Sequence, residues 1–520
     1  MRARSLRSME VNAVFRINPS QDSIHDLCIL LTGYIDEEVC LKNPVERAKA
    51  LINYMSDSGI EASYSRADPN VFIINTRELP EELRGVLEEA GSNPIKKVLG
   101  FSPGDITYEF YKGEETHTPY AILYKRPYKC EKEILEVPLY YESPGYRFAF
   151  NTLLRYARCE EGICGIVKWV PRPLQNLEQL IKDDSVKVAI IHQRERESDQ
   201  YLDLARVKEQ SYRDSGSGYA VSHLQLINGK KLICLLKGWK GLEPRKRQYY
   251  ARVVLANILT SVYYKSGCVP FHVKLPHATY NQLLRNSLIV GIGISRAEGQ
   301  IYKGAAVVMT GYGEVIARVW KDFWITKGPS YEFNKNEIEK FRSEIERYVK
   351  AYTKRLGESP QLLAILRSRM FLDIELEELL GGSGDAADGE GGDVDEVEKR
   401  LAEELASGSW WENYFHNVLV MSVYKTKYAF GRDVAVLASS NREKSSGVWY
   451  VQLKKQKYAT QIVWKLTGGD EKLPLAAYLY IRALDFTSLH QFRMTLFPTR
   501  AAHRYLRWAT ASKQWHGGRL

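Results

Sequence analysis

The chain has 520 residues, of which 44% are hydrophobic and 26% charged, with a formal net charge of +10 and a pI near 9.0. This length predicts two to four domains of a globular protein, and the composition argues against a disordered or fibrous chain. No run of about 18 uncharged apolar residues and no apolar secretory segment is visible, so we expect a cytoplasmic protein without a membrane span. The positive charge favours a polyanionic partner, either nucleic acid or an anionic membrane surface.

The seven cysteines are scattered without the spacing of metal ligands, and Cys159 and Cys164 have no second pair beside them. We therefore expect all of them to be reduced thiols in a cytosolic protein.

Residues 1–180 mix short strands with helices and predict an α+β region. The predicted elements are a helix at Asn43–Ser56, a strand at Asn70–Asn75 and a helix at Pro80–Ala90. No catalytic motif is present there, so we expect this region to carry a surface for a protein partner. Its candidate anchors are Tyr140, Tyr141, Tyr146, Arg147 and Phe148. The alternative interpretation of these side chains is that they are ordinary β-strand core residues.

Residues 181–285 predict a Rossmann-like α/β domain. The elements in chain order are a buried strand at 186–193, a charged helix at Asp199–Tyr212, strands at Ala220–Ile227 and Lys231–Leu236, and a long helix at Lys246–Lys265.

Residues 286–520 predict a second α/β domain with an RNase H-like core, because antiparallel strands come first and a helix and a returning strand follow. The predicted elements are strands at 288–295, 304–310 and 314–320, a helix at Lys335–Leu356 and a strand at Gln361–Arg367. A flexible insert follows at 381–396, Gly-rich over 381–392, and an acidic helical stretch covers Asp393–Leu405. Strands resume near 416–424, 434–438 and 447–453, and the chain ends in helix, loop and helix from Leu473.

Four stretches of the chain contain the residues that point to a chemical function. Residues 287–295 read SLIVGIGIS, an apolar β run that ends in a turn where an RNase H-type nuclease would carry its first metal-binding aspartate, and Gly293 occupies that place. The other three are Gln248–Pro270 with its Lys-x-Gly-x-x-Pro ending, Asn336-Glu337-Ile338 followed by Arg367-Ser368-Arg369, and Leu473–Thr510.

Together these stretches resemble the MID and PIWI domains of a short or pseudo-short prokaryotic Argonaute, archaeal in character, over residues 186–520. The resemblance implies a metal-binding tetrad, and the matching positions are Gly293, Glu337, Ser368 and His503. Two Mg²⁺ ions need several anionic oxygens, and this set supplies one carboxylate. We therefore expect an inactive nuclease with no catalytic cofactor. The alternative is a shifted alignment in which Asp373 or Glu375 serves as a ligand and the protein cuts.

The resemblance also implies a pocket for the 5′ phosphate of a guide strand. Lys265 occupies the phosphate-contacting position, with Ser261 one helical turn earlier and His223 at the position of a family glutamine. Further candidates are Tyr201, Arg206 and Lys208 on the preceding helix, and Lys246, which opens the helix that ends at Lys265. The resemblance further implies that the C-terminal carboxylate of Leu520 helps to hold Mg²⁺ at the 5′ phosphate. The alternative is that the C-terminal residues are a frayed tail with no such contact.

The implied function is binding of a guide RNA or DNA and recognition of a complementary target without cutting it. A separately encoded Argonaute-associated protein and an effector would then act in defence against viruses and plasmids. The alternatives are an active guided endonuclease and a protein-interaction scaffold that binds no nucleic acid.

Overall fold

The structure is a computed structural model that describes part of the chain. The described residues are 12–16, 62–65, 68–75, 93–159, 163–182, 185–192, 199–213, 222–296, 301–314, 323–326, single residues between 343 and 360, 361–367, 414–425, 434–441, 446–453, 456, 460–485 and 496–514.

Strands provide most of the framework. They are β1 Asn12–Arg16, β2 Ala62–Ser65, β3 Asp68–Asn75, β4 Asn93–Pro94, β5 Thr107–Glu109, β6 Glu115–Thr116, β7 Leu135–Tyr141, β8 Ile163–Cys164, β9 Val167–Pro173, β10 Lys187–Ile191, β11 Leu224–Asn228, β12 His272–Lys274, β13 Ser287–Arg296, β14 Ile301–Thr310, β15 Phe323–Thr326, β16 Leu362–Arg367, β17 Asn417–Lys425, β18 Val434–Asn441, β19 Ser446–Gln452 and β20 Thr460–Leu466.

The α-helices are α1 Ile95–Leu99, α2 Pro144–Ala157, α3 Asp199–Arg213, α4 Gly229–Trp239, α5 Pro244–Lys265, α6 Ala278–Arg285, α7 Leu473–Ala483 and α8 Phe497–Gln514. Residues described between 343 and 353 are also helical, within the predicted helix Lys335–Leu356.

A Rossmann-like sheet has the order β11-β10-β7-β9-β8, in which β11, β10, β7 and β9 run parallel and β8 is antiparallel at the edge. Alternate side chains of its central strands face opposite layers, as the pleat requires. Leu139, Val188 and Ile190 pack toward α2, α4 and α5, whereas Tyr140, Ala189 and Ile191 pack toward α3. The sheet takes β7 and β9 from residues before 181, so it crosses the predicted domain boundary at 180/181.

The second sheet has nine described strands in the order β15-β14-β13-β16-β17-β20-β19-β18-β4. Its first five strands are RNase H-like. Strands β15, β14 and β13 are antiparallel neighbours, and β16 and β17 follow parallel to β13. The mixed α/β fold, with a Rossmann-like sheet followed by an RNase H-like sheet, agrees with the prediction.

Two glycines of β13 allow helix α8 to approach the sheet. A Cβ built on Gly291 would lie 2.3 Å from the backbone of Pro498 and Thr499. Residues two apart on a strand share a face, and Gly293 faces the same helix. Strand β13 continues to Arg296, paired with β14 along its length. The turn predicted in SLIVGIGIS is therefore wrong, and Gly293 lies inside a strand.

The segment Lys231–Leu236 is helical, so its prediction as a strand is also wrong. It belongs to α4, whose buried residues Gly229, Leu232, Leu236 and Trp239 follow helical spacing. The side chain of Asn228 caps the helix by accepting from the Lys231 amide at 3.0 Å. A short continuous apolar run does not distinguish strand from helix by itself, and the cap and the flanking lysines favour the helix.

The structure contains two disulfides, Cys130–Cys268 and Cys159–Cys164, which contradicts the expectation of reduced thiols throughout. Backbone pairing of Lys129 with Val269 brings the first pair to a Cα–Cα distance of 4.6 Å, within the range a disulfide spans. Cys234 is an exposed free cysteine.

Several predictions fall outside the described residues. These are the helices Asn43–Ser56 and Pro80–Ala90, residues 315–320 of the strand predicted at 314–320, the insert 381–396 and the acidic stretch Asp393–Leu405. Strand β20 was not predicted from the sequence.

Candidate functional site

Two lysines from different helices meet at the start of β11. Lys208 of α3 donates a hydrogen bond to the carbonyl oxygen of Leu224, and Lys265, the last residue of α5, donates to the same oxygen at 2.7 Å. The two ammonium groups therefore lie within two hydrogen-bond lengths of each other. Like charges this close repel, and the repulsion is relieved when an anion binds between them.

A serine pair positions Lys208. Its ammonium group donates to Ser222 Oγ at 2.5 Å, and Ser211 Oγ lies 2.6 Å from Ser222 Oγ. Ser222 Oγ also accepts from the Leu224 amide at 3.1 Å. Lys208 is 7% exposed, and these contacts keep a buried cation in a polar environment, as burial of a charge requires.

Ser261 extends the pocket along α5. It lies one helical turn before Lys265, and its hydroxyl donates to Gln225 Oε1 at 2.8 Å. Gln225 is a pocket residue that the sequence analysis missed. Because it follows His223 by two residues, strand alternation could have indicated it.

His223 is buried immediately before β11, and its carbonyl oxygen accepts from the Lys187 amide at 2.9 Å. The structure thus brings Lys208, Ser261 and Lys265 together around Leu224 and Gln225, with His223 adjacent in the chain. We name this group the basic pocket.

The other predicted phosphate contacts are placed differently. Arg206 is exposed on α3, and Tyr201 lies in α3 without a described side chain. Lys246 lies 19 residues before Lys265 on the same helix, about 28 Å away at the helical rise of 1.5 Å per residue. Lys246 is therefore outside the basic pocket, and it lies 3.6 Å from Glu243.

Two of the four tetrad positions meet between β13 and α8. A Cβ on Gly293 would lie 3.0 Å from the His503 amide nitrogen and 3.2 Å from His503 Cγ. The backbone of α8 thus lies close to Gly293. Glu337, Ser368, Asp373, Glu375 and Leu520 lie outside the described residues. Within the described part of the chain, no group of three or more His, Cys, Asp or Glu side chains could hold a metal ion.

The described pocket residues offer ammonium groups, hydroxyls and an amide. This donor set suits an anion. It does not suit Mg²⁺, which prefers carboxylate and water oxygens.

The two sheets define a mixed α/β protein whose Rossmann-like layer holds the basic pocket. Solved structures similar to the chain include the Argonaute of Marinitoga piezophila in complex with a 5′ OH guide RNA, at 13% identity and a TM-score of 0.45, covering 85% of this chain and 69% of that one. The Argonaute of Clostridium butyricum bound to a guide DNA and a 19-mer target DNA is similar at 12% identity and a TM-score of 0.49, with 96% and 62% covered. Drosophila Piwi is similar at 12% identity and a TM-score of 0.47, with 78% and 53% covered.

This chain therefore spans between about half and two thirds of the length of these proteins. No protein-family model matches the chain, and no curated protein matches it in sequence. Among the helices that the structure describes, none is both long and apolar enough to cross a membrane.

Proposed function

We propose that the protein binds a guide nucleic acid through its 5′ phosphate at the basic pocket and recognises a complementary target by base pairing without cutting it. The observation that carries the proposal is the convergence of Lys208 and Lys265 on the Leu224 carbonyl oxygen. The residue pattern that resembles an Argonaute MID domain assigns Lys265 to the phosphate independently of this geometry.

A terminal phosphate fits the pocket chemically. Lysine binds phosphate as a compact point charge, and charge-assisted hydrogen bonds are about twice as strong as neutral ones. Ser261 and Gln225 add neutral polar groups beside the two ammonium groups, joined by the hydrogen bond that the Ser261 hydroxyl donates to Gln225 Oε1. Lys265 is partly exposed at the end of α5, so a strand terminus can reach it from solvent.

The position of Gly293 supports binding without cleavage. It supplies no ligand, and a Cβ at this position would lie only 3.0 Å from the His503 amide nitrogen of α8. Gly291 pairs with Leu366 across β13 and β16, and these two residues are 75 apart in the chain, as are Gly293 and Ser368. This equal spacing supports the assignment of Ser368 to the third tetrad position, where the family has an aspartate.

Lys265→Ala tests the pocket. Binding of 5′-phosphorylated and 5′-hydroxyl strands, as both RNA and DNA, is measured by fluorescence anisotropy. Removal of a charge-assisted hydrogen bond of roughly 1.5–3 kcal/mol predicts that affinity falls about tenfold to 150-fold for the phosphorylated strand and changes little for the hydroxyl strand. Lys96→Ala, an exposed lysine on α1, is the matched control. Equal decreases for both strands would reduce Lys265 to a general backbone contact and overturn the proposal.

A cleavage assay tests the proposal that the protein recognises its target without cutting it. Wild type loaded with guide is incubated with matched target in Mg²⁺ or Mn²⁺, and we expect intact target. A metal-dependent cut at one fixed distance from the guide 5′ end, abolished by Glu337→Ala, would instead establish the guided endonuclease.

The finer parts of the proposal rest on the sequence resemblance. They are a separately encoded Argonaute-associated protein, an effector that responds to target pairing, and defence against viruses and plasmids in the cytoplasm. A protein that binds a target without cutting it needs such a downstream component to have an effect. Co-purified nucleic acid from the native host, once sequenced, would establish whether the guide is RNA or DNA.

A further inference from the structure

One short stretch of the chain carries a strong positive charge. Residues 230–252 contain eight lysines and arginines and a single acidic residue, Glu243. These 23 residues therefore hold a charge of +7, against +10 for the whole chain. They form α4, the connection that follows it and the first turns of α5.

Most of this charge is exposed. Lys230, Lys231, Lys237, Lys240, Arg245 and Lys246 are all exposed side chains. The other two have structural contacts. Arg247 donates to the Leu242 carbonyl oxygen at 2.9 Å and lies over the ring of Tyr156, and Arg252 donates to the Ala157 carbonyl oxygen at 3.5 Å. These two arginines hold α5 against α2 and leave the six exposed cations facing solvent.

Aromatic rings lie among these cations. Tyr249 and Tyr250 are 55% and 44% exposed. They follow Arg245 and Lys246 by four residues, so cations and rings share one face of α5. Tyr250 stacks on Trp239 of α4 with centroids 6.0 Å apart, which joins the two helices and holds the ring in place. We name Lys237, Lys240, Arg245, Lys246, Tyr249 and Tyr250 the α4–α5 surface.

This surface is separate from the basic pocket. Lys246 and Lys265 are at opposite ends of α5, about 28 Å apart. A phosphate held at Lys265 therefore leaves the α4–α5 surface accessible.

We propose that the α4–α5 surface is a second nucleic-acid site, which binds the backbone of a single strand through its lysines and arginine and stacks bases on Tyr249 and Tyr250. Exposed rings interleaved with cations are the combination that single-strand binding uses, since every base has a stacking face and every nucleotide a phosphate. An anionic membrane would attract the lysines without needing an aromatic ring held in place by Trp239. The site needs no terminal phosphate, so it does not depend on the proposed function.

The test uses the full chain and a 5′-hydroxyl oligothymidylate of about 16 nucleotides, the upper end of single-strand site sizes. The charge variant combines Lys237→Gln, Lys240→Gln, Arg245→Gln and Lys246→Gln. Its matched control removes four exposed lysines elsewhere, at Lys96, Lys97, Lys350 and Lys465. The ring variant combines Tyr249→Leu with Tyr250→Leu, which keeps apolar volume and removes the planar faces.

The two variants should fail in different ways. In the charge variant, affinity should fall less steeply with salt: the magnitude of the slope of log affinity against log salt should decrease by roughly 0.7 for each phosphate that is no longer neutralised. The control variant should keep the slope of wild type. The ring variant should keep the slope and bind about fivefold or more weakly, as expected when one base no longer stacks. Both variants should retain the preference of the pocket for a 5′ phosphate.

The proposal is overturned if charge variant and control bind the oligonucleotide alike, or if the charge variant loses only binding to phosphatidylserine vesicles. If wild type shows no preference for a 5′ phosphate but the charge variant still loses salt dependence, the pocket fails and the α4–α5 surface stands.

Discussion

At the scale of residues, a single backbone oxygen positions both pocket lysines. The Leu224 carbonyl accepts from Lys208 and from Lys265, so the geometry of the pocket depends on where β11 begins. Lys208 is buried and held by Ser222, whereas Lys265 is partly exposed at a helix end. We therefore expect Lys208 to set the local potential and Lys265 to make the contact that depends on the ligand.

Gly293 has a role in the packing of β13 against α8. Gly291 and Gly293 lie on the same face of β13, against α8. The apolar residues Ala305 and Val307 of β14 pack on Ala502, Tyr505 and Leu506 of α8 beside them. The lack of a side chain at both positions is therefore what allows α8 to approach β13 this closely.

The two glycines predict a graded decrease in stability on substitution by alanine. Gly291→Ala would place a Cβ at 2.3 Å from the backbone of α8, and Gly293→Ala at 3.0 Å. Overpacking lowers the free energy of unfolding by roughly 1–3 kcal/mol. We expect Gly291→Ala to lower it by an amount at or above the upper end of this range and Gly293→Ala to lower it clearly less, as measured by urea denaturation. Equal stability of wild type and Gly291→Ala would show that α8 does not pack this closely.

At the scale of elements, α5 connects two basic sites. Its first turns carry Arg245, Lys246, Tyr249 and Tyr250, and its last residue is Lys265. The middle of the helix, from Leu255 to Tyr264, is largely buried between α2 and the rest of the core. Because its middle is buried and its ends reach the surface, α5 holds the basic pocket and the α4–α5 surface at a fixed separation.

Strand β12 carries a buried histidine where the small sheet β12-β5-β6 meets the RNase H-like sheet. The ring of His272 lies between Tyr128 and Tyr312, with centroids 5.5 and 5.6 Å away, and 3.5 Å from the Tyr480 hydroxyl. Burial, with Arg285 and Lys274 nearby, lowers the pKa of His272 to about 3. The Glu109 carboxylate at 3.5 Å would favour protonation, but desolvation and the two cations outweigh it.

This histidine predicts a decrease in stability in mild acid. The unfolded chain takes up a proton near pH 6.5 and the folded chain does not, so the contribution is complete above pH 6.5 and falls as pH decreases toward 3. The stability difference between wild type and His272→Gln should shrink by about 2 kcal/mol between pH 7 and pH 5. Denaturant titration at both pH values measures it, and a constant difference would mean that His272 has the same pKa in the folded and unfolded states.

At the scale of the whole molecule, the region before residue 181 contributes to the Rossmann-like sheet. Strands β7 and β9 lie in its centre and pair in parallel along their length. Tyr140, a predicted partner anchor, is buried against α3, whereas Arg147 and Phe148 of α2 are exposed. A partner-binding region that can be deleted without disturbing this sheet, and that is separate from the proposed nucleic-acid sites, is therefore sought before residue 93.

Deleting residues 1–92 tests the predicted partner surface without removing a strand of the Rossmann-like sheet. Strands β1, β2 and β3 form a sheet of their own. We expect the shortened protein to bind 5′-phosphorylated strands as wild type does and to lose its protein partner in pull-downs from the native host. Retention of every partner by the shortened protein would show that the partner surface lies elsewhere.

An element could be predicted from the sequence when its own residues carry the pattern that defines it. Strands β10 and β16 were predicted within a residue or two because each contains at least four consecutive apolar residues. Helix α4 was predicted as a strand because its apolar run is as short as a strand's, and only the Asn228 cap and its packing on α2 decide between them. Strand β20 was missed, and its pairing with β17 and β19 is not visible locally.

The sequence by itself determined the two α/β folds, the lysine at the end of α5 and the glycines of β13, because apolar periodicity and residue identity are local properties. Only the tertiary structure decided that Lys208 and Lys265 share one carbonyl oxygen, that Gln225 reaches Ser261, and that Lys246 is far from the pocket. Those relations join α3, β11 and α5, whose contacts depend on how helices pack across a sheet. Such packing is set by the shapes of many side chains together, and no short stretch of the chain encodes it.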